Sequence, residues 1–425
     1  MIEPSPQKKS ERALLVGLQT LRAPRWRVEE SLDELGELVK SAGGEAAARA
    51  IQRLDMPTAA FYIGKGKAQE LTQSAQTQGV SCVIFDDELS PAQVRNLEKM
   101  FACKVIDRTQ LILDVFAQRA QSREGKLQIE LAQLLYLLPR LTRMWTHLSR
   151  QSGGIGTRGP GETQLEVDRR RVQEKIHRLE RELKDVRRSR AVQRAGRARH
   201  QWPVCALVGY TNAGKSTLMN RLTAARVYTA DKLFATLDPT IRQCQLPNRQ
   251  KILISDTVGF LRKLPHHLVE SFQATLEEVV EADLLIHVVD VSHPLFEDHM
   301  RAVEQTLEKI HASDKRMLTV FNKIDCLENA AFLPRLLEDH PYSVNISAKA
   351  GQGMDAFFAE MQNMLQDRMT IMRVRLPQTE GALLASIHSQ GRIIKKRYAG
   401  NDVILTVEAP LQLQAKLKPH ILARL

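Results

Sequence analysis

Cysteine is scarce in this sequence, and long apolar runs are missing. The five cysteines are scattered among 425 residues, and no CxxC pair occurs, which argues against a structural zinc site or a redox pair. No stretch approaches the ~20 apolar residues that a membrane-spanning helix needs. The first residues, MIEPSPQKKSER, lack the apolar core and cleavage site of a secretion signal. We therefore expect a cytoplasmic protein with reduced thiols.

Negative charge is in short supply along one part of the chain. The net charge at pH 7 is +12, and residues 119–200 contribute +11 of it, with 20 Lys and Arg against 9 Asp and Glu. Apolar residues there follow the 4-3 spacing of paired helices from Leu127 to Trp145 and from Val172 to Val186. The segment from Ser149 to Gln164 holds five glycines and a proline, which predicts a nonhelical connection. We predict a basic antiparallel helical hairpin with its tip loop at 151–161.

Several arginines of this hairpin lie at its tip or away from the apolar seam, where phosphates could reach them. We predict that five of them bind nucleic acid: Arg150, Arg158, Arg169, Arg170 and Arg171. The alternative is a solvated helix face whose arginines pair with Glu174, Glu180 and Glu182. The strong excess of one sign favours nucleic acid binding, and sequence alone does not separate RNA from DNA.

A glycine loop follows the apolar run VCALV and precedes a helix pattern. Its residues match GxxxxGK[ST] in the strand, loop and helix setting that the motif requires: Gly209, Tyr210, Thr211, Asn212, Ala213, Gly214, Lys215 and Ser216, with Thr217 next. In such a loop, backbone N–H groups surround phosphates, Lys215 neutralises the β and γ oxygens, and the Ser216 hydroxyl ligates Mg²⁺. The motif predicts a nucleotide site.

Three more motifs follow in order, each after a strand pattern. The first is Asp256, Thr257, Val258 and Gly259, in which Asp256 would hold Mg²⁺ through water and the Gly259 amide would sense the γ-phosphate. The second is Asn322, Lys323, Ile324 and Asp325, whose carboxylate can accept two hydrogen bonds that guanine offers and adenine does not. The third is Ser347, Ala348 and Lys349, placed to close over the base.

Four motifs in this order predict a Mg²⁺-dependent GTPase that converts GTP to GDP and phosphate, with Lys215 and Gly259 acting in catalysis. A threonine between the P-loop and Asp256 should complete the Mg²⁺ shell when the γ-phosphate is present. Thr236 and Thr240 both qualify by position, and spacing alone does not choose between them.

Segments outside these motifs resemble one GTPase family. FYIGKGKAQEL from Phe61, DRTQLILDVFAQRA from Asp107, SREGKLQIELAQLLYLLPRL from Ser122 and SGGIGTRGPGETQLEVDRRR from Ser152 are similar to signature segments of the HflX family of translation-associated GTPases. The resemblance implies that Thr236, not Thr240, is the switch threonine, a catalytic residue and a Mg²⁺ ligand. It places the nucleotide beside Phe234, Ala235, Thr236, Leu237 and Asp238.

The resemblance also implies a partner. The HflX family binds the large ribosomal subunit and its rRNA near the peptidyl-transferase centre and dissociates stalled or stressed ribosomes, so we expect this activity, in a monomer that is cytoplasmic and in part bound to ribosomes or membranes. Two alternatives are a GTP-gated RNA-remodelling factor and a GTP-gated adaptor, for example of a membrane-associated protease complex. The sequence offers no nucleophile or metal cluster in support of RNA modification.

One catalytic part is missing from the motifs. Many small GTPases have a glutamine after DxxG that orients the attacking water, and this chain has Phe260 there. We therefore expect slow intrinsic hydrolysis that a partner stimulates, and the resemblance makes that partner the large ribosomal subunit. Asn212 resembles the asparagine that coordinates K⁺ in some cation-activated GTPases. The alternative is that Asn212 only stabilises the loop.

Together the patterns predict an α/β protein of four domains. These are an N-terminal α/β domain (1–118), the basic hairpin (119–200), a P-loop GTPase domain with a mostly parallel sheet and helices on both faces (201–372), and a small α+β domain (373–425). We interpret Asp86, Asp87 and Glu88 as acids at the start of the helix that begins at Pro91, not as a metal cluster. We interpret the basic run Lys395, Lys396 and Arg397 as a solvated sheet face with at most a role in docking to the ribosome.

Overall fold

The computed structural model describes residues 11–21, 23–144, 160–198, 202–223, 234, 237–263, 273–365 and 369–424. The chain forms two compact units. One comprises residues 1–186 with the short segments 231–235 and 263–272, and the other comprises 187–230, 236–262 and 273–425. Among the described helices, none is both long enough and apolar enough to cross a membrane.

The first unit begins with an α/β domain. Its elements are β1 (Arg12–Gln19), α1 (Arg25–Ser41), β2 (Glu45–Arg53), α2 (Lys65–Thr77), β3 (Cys82–Phe85), α3 (Pro91–Phe101), β4 (Lys104–Asp107) and α4 (Arg108–Arg119). The strands form a parallel sheet in the order β2-β1-β3-β4. A core of buried residues that includes Leu14, Val16, Val83, Phe85 and Leu97 packs α2 and α3 on this sheet. The apolar runs at 13–16, 80–85 and 104–106 predict β1, β3 and β4 from the sequence, whereas β2 is not predicted.

The acidic run after β3 has a different role from the one predicted. Helix α3 is capped by Ser90, whose hydroxyl accepts from the amide of Gln93, so the run does not supply the cap. Buried Asp86 accepts hydrogen bonds from the Ser31 hydroxyl (2.7 Å) and the Arg108 guanidinium (2.9 Å). Asp87 accepts from the hydroxyl of Tyr62. The interpretation of Asp86 and Asp87 as helix N-terminal acids is therefore wrong, because both carboxylates bind side chains distant in sequence.

Two long helices follow, α5 (Arg123–Met144) and α6 (Pro160–Ala198). Buried Leu131, Ile176, Leu179 and Leu183 form their shared core, so the predicted seam is confirmed from Leu127 to Leu138 and from Val172 to Leu183. Its predicted end at Trp145 lies outside the described residues. The prediction that the connection runs to Gln164 is wrong, because α6 begins at Pro160. Proline fits the first turn of a helix, where its missing N–H costs nothing. Residues 145–159, which include most of the predicted tip loop at 151–161, lie outside the described residues.

The second unit contains a six-stranded sheet in the order β10-β9-β8-β5-β7-β6, in which only the edge strand β6 is antiparallel to its neighbour. Its elements are β5 (Val204–Val208), α7 (Lys215–Thr223), β6 (Thr240–Gln245), β7 (Lys251–Asp256), α8 (Gln273–Val280), β8 (Leu284–Asp290), α9 (Phe296–Lys309), β9 (Met317–Asn322), α10 (Leu333–Asp339), β10 (Ser343–Asn345) and α11 (Met354–Met364).

Buried apolar residues cover both faces of this sheet. Leu218 of α7 and Phe357 of α11 share one core with the strands, and Met300 of α9 and Leu333 of α10 share another. The predicted α/β fold with a mostly parallel P-loop domain is confirmed. In such a sheet, the loops at the carboxyl ends of the strands meet at one edge, which is where ligands bind.

The chain ends in a small domain of the second unit. Its elements are β11 (Met369–Pro377), α12 (Gly381–Gln390), β12 (Arg392–Ala399), β13 (Asp402–Pro410), α13 (Leu411–Leu417) and β14 (Ile421–Arg424). The strands form an antiparallel sheet in the order β12-β13-β11-β14, the split βαβ arrangement. The sequence pattern predicts a strand at 373–376, a helix at 380–389 and strands at 392–398 and 403–407, which correspond to the first four elements, but it predicts neither α13 nor β14.

Candidate functional site

The glycine loop between β5 and α7 needs glycine at both of its ends. Gly209 has φ 151, and a Cβ there would lie 2.3 Å from the carbonyl oxygen of Val288. Gly214 has φ 96, and a Cβ there would lie 2.2 Å from Nδ2 of Asn322. Side chains at either position would meet strand ends of the same sheet, so the tight loop exists only with glycine.

Lys215 begins α7 with its ammonium group turned back into the loop. Its Nζ donates to the carbonyl oxygens of Gly209 (3.1 Å) and Tyr210 (2.7 Å). Burial lowers the pKa of Lys215 to about 8, although the nearby carboxylate of Asp256 acts in the opposite direction. A buried ammonium held by carbonyl oxygens is poorly solvated, so phosphate oxygens would be better partners for it.

Ser216 and Asp256 bring two oxygen ligands together. The Ser216 hydroxyl donates to Oδ2 of Asp256 at 2.7 Å, and Asp256 is fully buried at the end of β7. Thr257, the next residue, donates to the carbonyl of Leu207 at 2.6 Å and thereby fixes the strand end beside the loop. A hydroxyl and a carboxylate are the hard donors that Mg²⁺ prefers, so these residues fit the predicted ion.

Gly259 lies directly against the P-loop. A Cβ there would be 2.8 Å from Cγ2 of Thr211 and 3.0 Å from Nζ of Lys215. The backbones are joined, since the Thr211 amide donates to the carbonyl of Phe260 (2.9 Å) and the Phe260 amide donates to that of Gly209 (3.1 Å). Phe260 itself is buried. A phenylalanine in this position anchors the loop and offers no hydrogen bond to water.

Asn322 ties three of the predicted motifs together. Its Nδ2 donates to the carbonyl of Ala213 in the P-loop (2.9 Å), and its Oδ1 accepts from the amide of Ala348 (2.9 Å). Arg221 of α7 adds a second link, because its Nε donates to the carbonyl of Ala348 at 3.1 Å. The loop that should close over the base is thus held from two sides.

Asp325 is exposed at the mouth of the site. Its pKa is lowered, chiefly by a hydrogen bond from the hydroxyl of buried Ser347. Lys323 adopts φ 66 and pairs with Asp290 at 2.6 Å, which turns the backbone toward Asp325. A carboxylate that stays ionised and faces solvent can accept the paired donors of guanine.

The structure brings most of the predicted nucleotide residues to one sheet edge. Thr217, Val258, Ile324 and Lys349 adjoin the residues above in α7 and in the loops after β7, β9 and β10. Asn212 is exposed with φ 59, a conformation that asparagine tolerates. Leu237 is buried and Asp238 half-buried, and Thr240 begins β6 opposite Asp256.

Other predicted residues lie elsewhere or outside the described part of the chain. Phe234 belongs to the first unit, where its ring packs on that of Phe116 with 4.5 Å between centroids. Its side chain therefore contacts an aromatic residue of α4. Ala235, Thr236, Arg150 and Arg158 lie outside the described residues. Arg169, Arg170 and Arg171 are exposed on α6.

Three residues near the P-loop, His299, Arg262 and Asp298, were missed by sequence reasoning. The ring of Tyr210 stacks on that of His299 in α9, and the Tyr210 hydroxyl accepts from the backbone amide of Arg262 at 3.0 Å. The Arg262 guanidinium in turn donates to Asp298 at 2.8 Å. No motif marks His299 or Asp298, because their role depends on where α9 packs.

Comparison with known proteins gives matches along the chain. Residues 204–323 match the family described as "50S ribosome-binding GTPase", 29–117 match "GTP-binding GTPase N-terminal", and 119–197 match "GTP-binding GTPase Middle Region". GTPase HflX of Lacrimispora saccharolytica is 46% identical over 407 residues, 96% of this chain and 95% of that protein. GTPase HflX of Escherichia coli K12 is 46% identical over 387 residues, 90% of each. GTPase HflX of Magnetococcus marinus is 44% identical over 416 residues, 98% of this chain and 94% of that protein.

Proposed function

The chain belongs to the HflX family of GTPases, and we propose that it binds the large ribosomal subunit and dissociates stalled or stressed ribosomes. It binds guanine nucleotides and hydrolyses GTP. The observation that carries the proposal is the match of residues 204–323 to a family described as ribosome-binding, within a chain that is similar to GTPase HflX over nearly its whole length.

We propose that the loop residues described above divide the work of hydrolysis. The Lys215 ammonium would exchange the carbonyls of Gly209 and Tyr210 for oxygens of the β- and γ-phosphates. Ser216 and Asp256 would hold Mg²⁺ with Thr236, and the ion, when bound, neutralises charge on the phosphate oxygens. The Gly259 amide would then donate to the γ-phosphate.

Phe260 supports slow intrinsic hydrolysis. Its buried ring replaces the side chain that orients water in many small GTPases. We propose that contact with the large subunit supplies the missing positioning. Hydrolysis is therefore expected to follow ribosome binding and not to precede it.

Charge on α6 supports an RNA contact for the hairpin. Arg170 and Arg171 are exposed, and their ion pairs with Glu174 and Asp168 are long, at 3.8 Å each. Exposed pairs of this kind contribute little free energy, so phosphates can replace the carboxylates. We propose that Arg150, Arg158, Arg169, Arg170 and Arg171 contact rRNA near the peptidyl-transferase centre.

Co-sedimentation with purified large subunits tests this part of the proposal. The arm variant Arg169→Ser/Arg170→Ser/Arg171→Ser is compared with the control variant Lys99→Ser/Lys309→Ser/Arg335→Ser, which removes three exposed charges from other helices. The arm variant should bind subunits on the order of tenfold more weakly, with a flatter salt dependence, while GDP affinity stays unchanged. An equal loss of subunit binding in both variants would contradict a specific role for the hairpin arginines.

We also propose that Asn212 helps to hold K⁺ beside the phosphates. Its exposed position at the loop, with φ 59, leaves the side-chain oxygen accessible to an ion. A cation there would act as an arginine finger does. Hydrolysis that proceeds at one rate in K⁺ and in Na⁺ would contradict the idea and leave Asn212 a loop-stabilising residue.

A further inference from the structure

The C-terminal sheet has one covered and one open face. Met372, Val374 and Leu376 of β11 and Val403 and Leu405 of β13 are buried in the core beneath α12 and α13. The alternate residues of both strands point to the other face. Ile371, Arg373 and Arg375 are exposed on this face, and Asp402, Ile404, Thr406 and Glu408 are half-buried. One side of the sheet is therefore accessible to a partner.

Strand pairing arranges four basic residues of the open face in two rows, and in the row beyond them Arg392 lies opposite Glu408. Arg373 of β11 lies opposite Thr406 of β13, which lies opposite Lys395 of β12. In the next row, Arg375 lies opposite Ile404, which lies opposite Arg397. Each row thus has a cation on either side and an uncharged residue between. With strands about 4.8 Å apart, the Cα atoms of the two basic residues of a row are separated by roughly 10 Å.

The open face is basic beyond local compensation. Residues 369–425 hold nine Lys and Arg against three Asp and Glu, which is a net charge of +6. This local excess is not visible in the net charge of all residues outside the hairpin, which is close to zero. Arg375 pairs with Asp402 at 2.6 Å. Arg373, Lys395 and Arg397 form no ion pair with any residue of the described ranges. Three guanidinium groups and one ammonium therefore face solvent together, and guanidinium binds phosphate in a bidentate manner.

We propose that this open face is a second RNA-binding surface, which holds the phosphate backbone of structured RNA through Arg373, Arg375, Lys395 and Arg397. The open-face positions of the central strands β11 and β13 carry no aromatic residue. Base stacking of the kind that sheet-based RNA readers use is therefore absent, and recognition is by charge and backbone shape. The choice of RNA among polyanions rests on the proposed ribosome binding.

A pair of variants separates this surface from general charge. Arg373→Gln/Lys395→Gln removes two cations from the open face, and Lys416→Gln/Lys418→Gln removes two exposed cations from α13 and the turn after it. Both are made in the full chain that already carries the arm variant, so that the hairpin does not mask the result. Binding to a fluorescent stem-loop RNA is measured by anisotropy between 50 mM and 200 mM salt.

The open-face variant should bind the RNA on the order of tenfold more weakly, and the slope of log K against log salt should shrink by about 2. The control variant should match its parent. An unchanged slope, or equal changes in both variants, overturns the proposal. The proposal is also overturned if the open-face variant binds the stem-loop RNA normally but binds large subunits more weakly, because that result indicates a protein partner. It is overturned as well if only binding to anionic vesicles is weakened.

Failure of this proposal and failure of the proposed function give different results in these measurements. If the wild-type chain does not co-sediment with large subunits, the proposed function fails. The comparison on free RNA is unaffected by that result. If subunit binding is normal and the free-RNA slopes are equal, only the open-face proposal fails.

Discussion

The ring of Tyr210 lies flat on the imidazole of His299, with 3.9 Å between centroids and 5° between planes. Tyr210 is part of the P-loop, and its hydroxyl accepts from the amide of Arg262, three residues after Gly259. Asp298, next to His299, pairs with the Arg262 guanidinium. The start of α9 thus contacts both segments that should surround the phosphates.

Replacing His299 should loosen the P-loop. Burial lowers the pKa of His299 to about 3, so the ring is neutral at physiological pH and acts by stacking. An aromatic pair is worth about 0.5–1.5 kcal/mol. We expect His299→Ala to weaken GDP binding by roughly two- to tenfold, measured with a fluorescent GDP analogue, and His299→Phe to restore most of it. If both variants bind GDP as the wild-type chain does, the stack does not position the P-loop.

The lowered pKa of Lys215 predicts proton uptake on nucleotide binding. In the empty site the pKa is about 8, whereas phosphates should raise it to its ordinary range or above. Above pH 8 the free site is increasingly neutral and the bound site stays charged. GDP affinity should therefore fall as pH rises above 8, by up to about tenfold per unit.

Calorimetry at pH 9 in two buffers of different ionisation enthalpy measures this uptake. The wild-type chain should take up close to one proton per GDP bound. Lys215→Ala, where it still binds GDP, should take up none. Identical apparent enthalpies in the two buffers for the wild-type chain would show that Lys215 is already charged in the empty site.

Buried His287 predicts a loss of stability in mild acid. Its pKa is lowered to about 4, first by burial and then by the positive charges of Lys215 and His340. The unfolded chain binds this proton near pH 6.5 and the folded chain only near pH 4, so stability falls as pH decreases between these values. The loss amounts to about 3 kcal/mol.

Thermal unfolding from pH 7 to pH 4.5 is the measurement for His287. His287→Leu removes the titrating group, so the melting temperature of that variant should depend less on pH than that of the wild-type chain. Parallel pH profiles for the two chains would contradict a neutral, buried imidazole.

Gly214 should not tolerate a methyl group. At φ 96 an alanine is strained, and its Cβ would lie 2.2 Å from the Asn322 amide that joins the P-loop to the base-binding loop. Gly214→Ala should lower GDP affinity by at least about tenfold. Gly66 in α2 offers a matched control, since a Cβ there meets nothing within 4 Å, and Gly66→Ala should leave GDP affinity unchanged. Equal affinities of the two variants would show that the loop can adapt.

At the nucleotide site, residues that carry chemistry could be found from the sequence, and residues that position them by packing could not. The glycine loop, Asp256, Asn322 and Asp325 occupy fixed spacings because phosphate, Mg²⁺ and guanine impose them. His299 has no such spacing, because it reaches Tyr210 only after α9 folds against the sheet. The sequence motifs therefore predicted the phosphate-binding and base-binding loops, but not the residues of α9 that pack against the P-loop.

Local sequence also failed where partners are distant. Asp86 pairs with Lys263 at 2.5 Å, 177 positions away within the first unit, and no local pattern indicates this. Strand β2, EAAARAIQR, was missed because alanine-rich segments favour helix, and its pairing with β1 outweighs that preference. The basic run of β12, Lys395 to Arg397, was interpreted as a solvated sheet face with at most a docking role, because the excess of positive charge in the C-terminal domain is hidden when charge is averaged over domains that differ in sign.

GTP turnover with and without purified large subunits, together with gradient analysis of whole ribosomes, tests the proposed function most directly. We predict slow turnover by the chain alone, strong stimulation by large subunits, and separated subunits when the chain and GTP are added to ribosomes. Lys215→Ala should lose the nucleotide-dependent effects. Turnover that large subunits leave unchanged, with ribosomes that stay intact, would contradict the account.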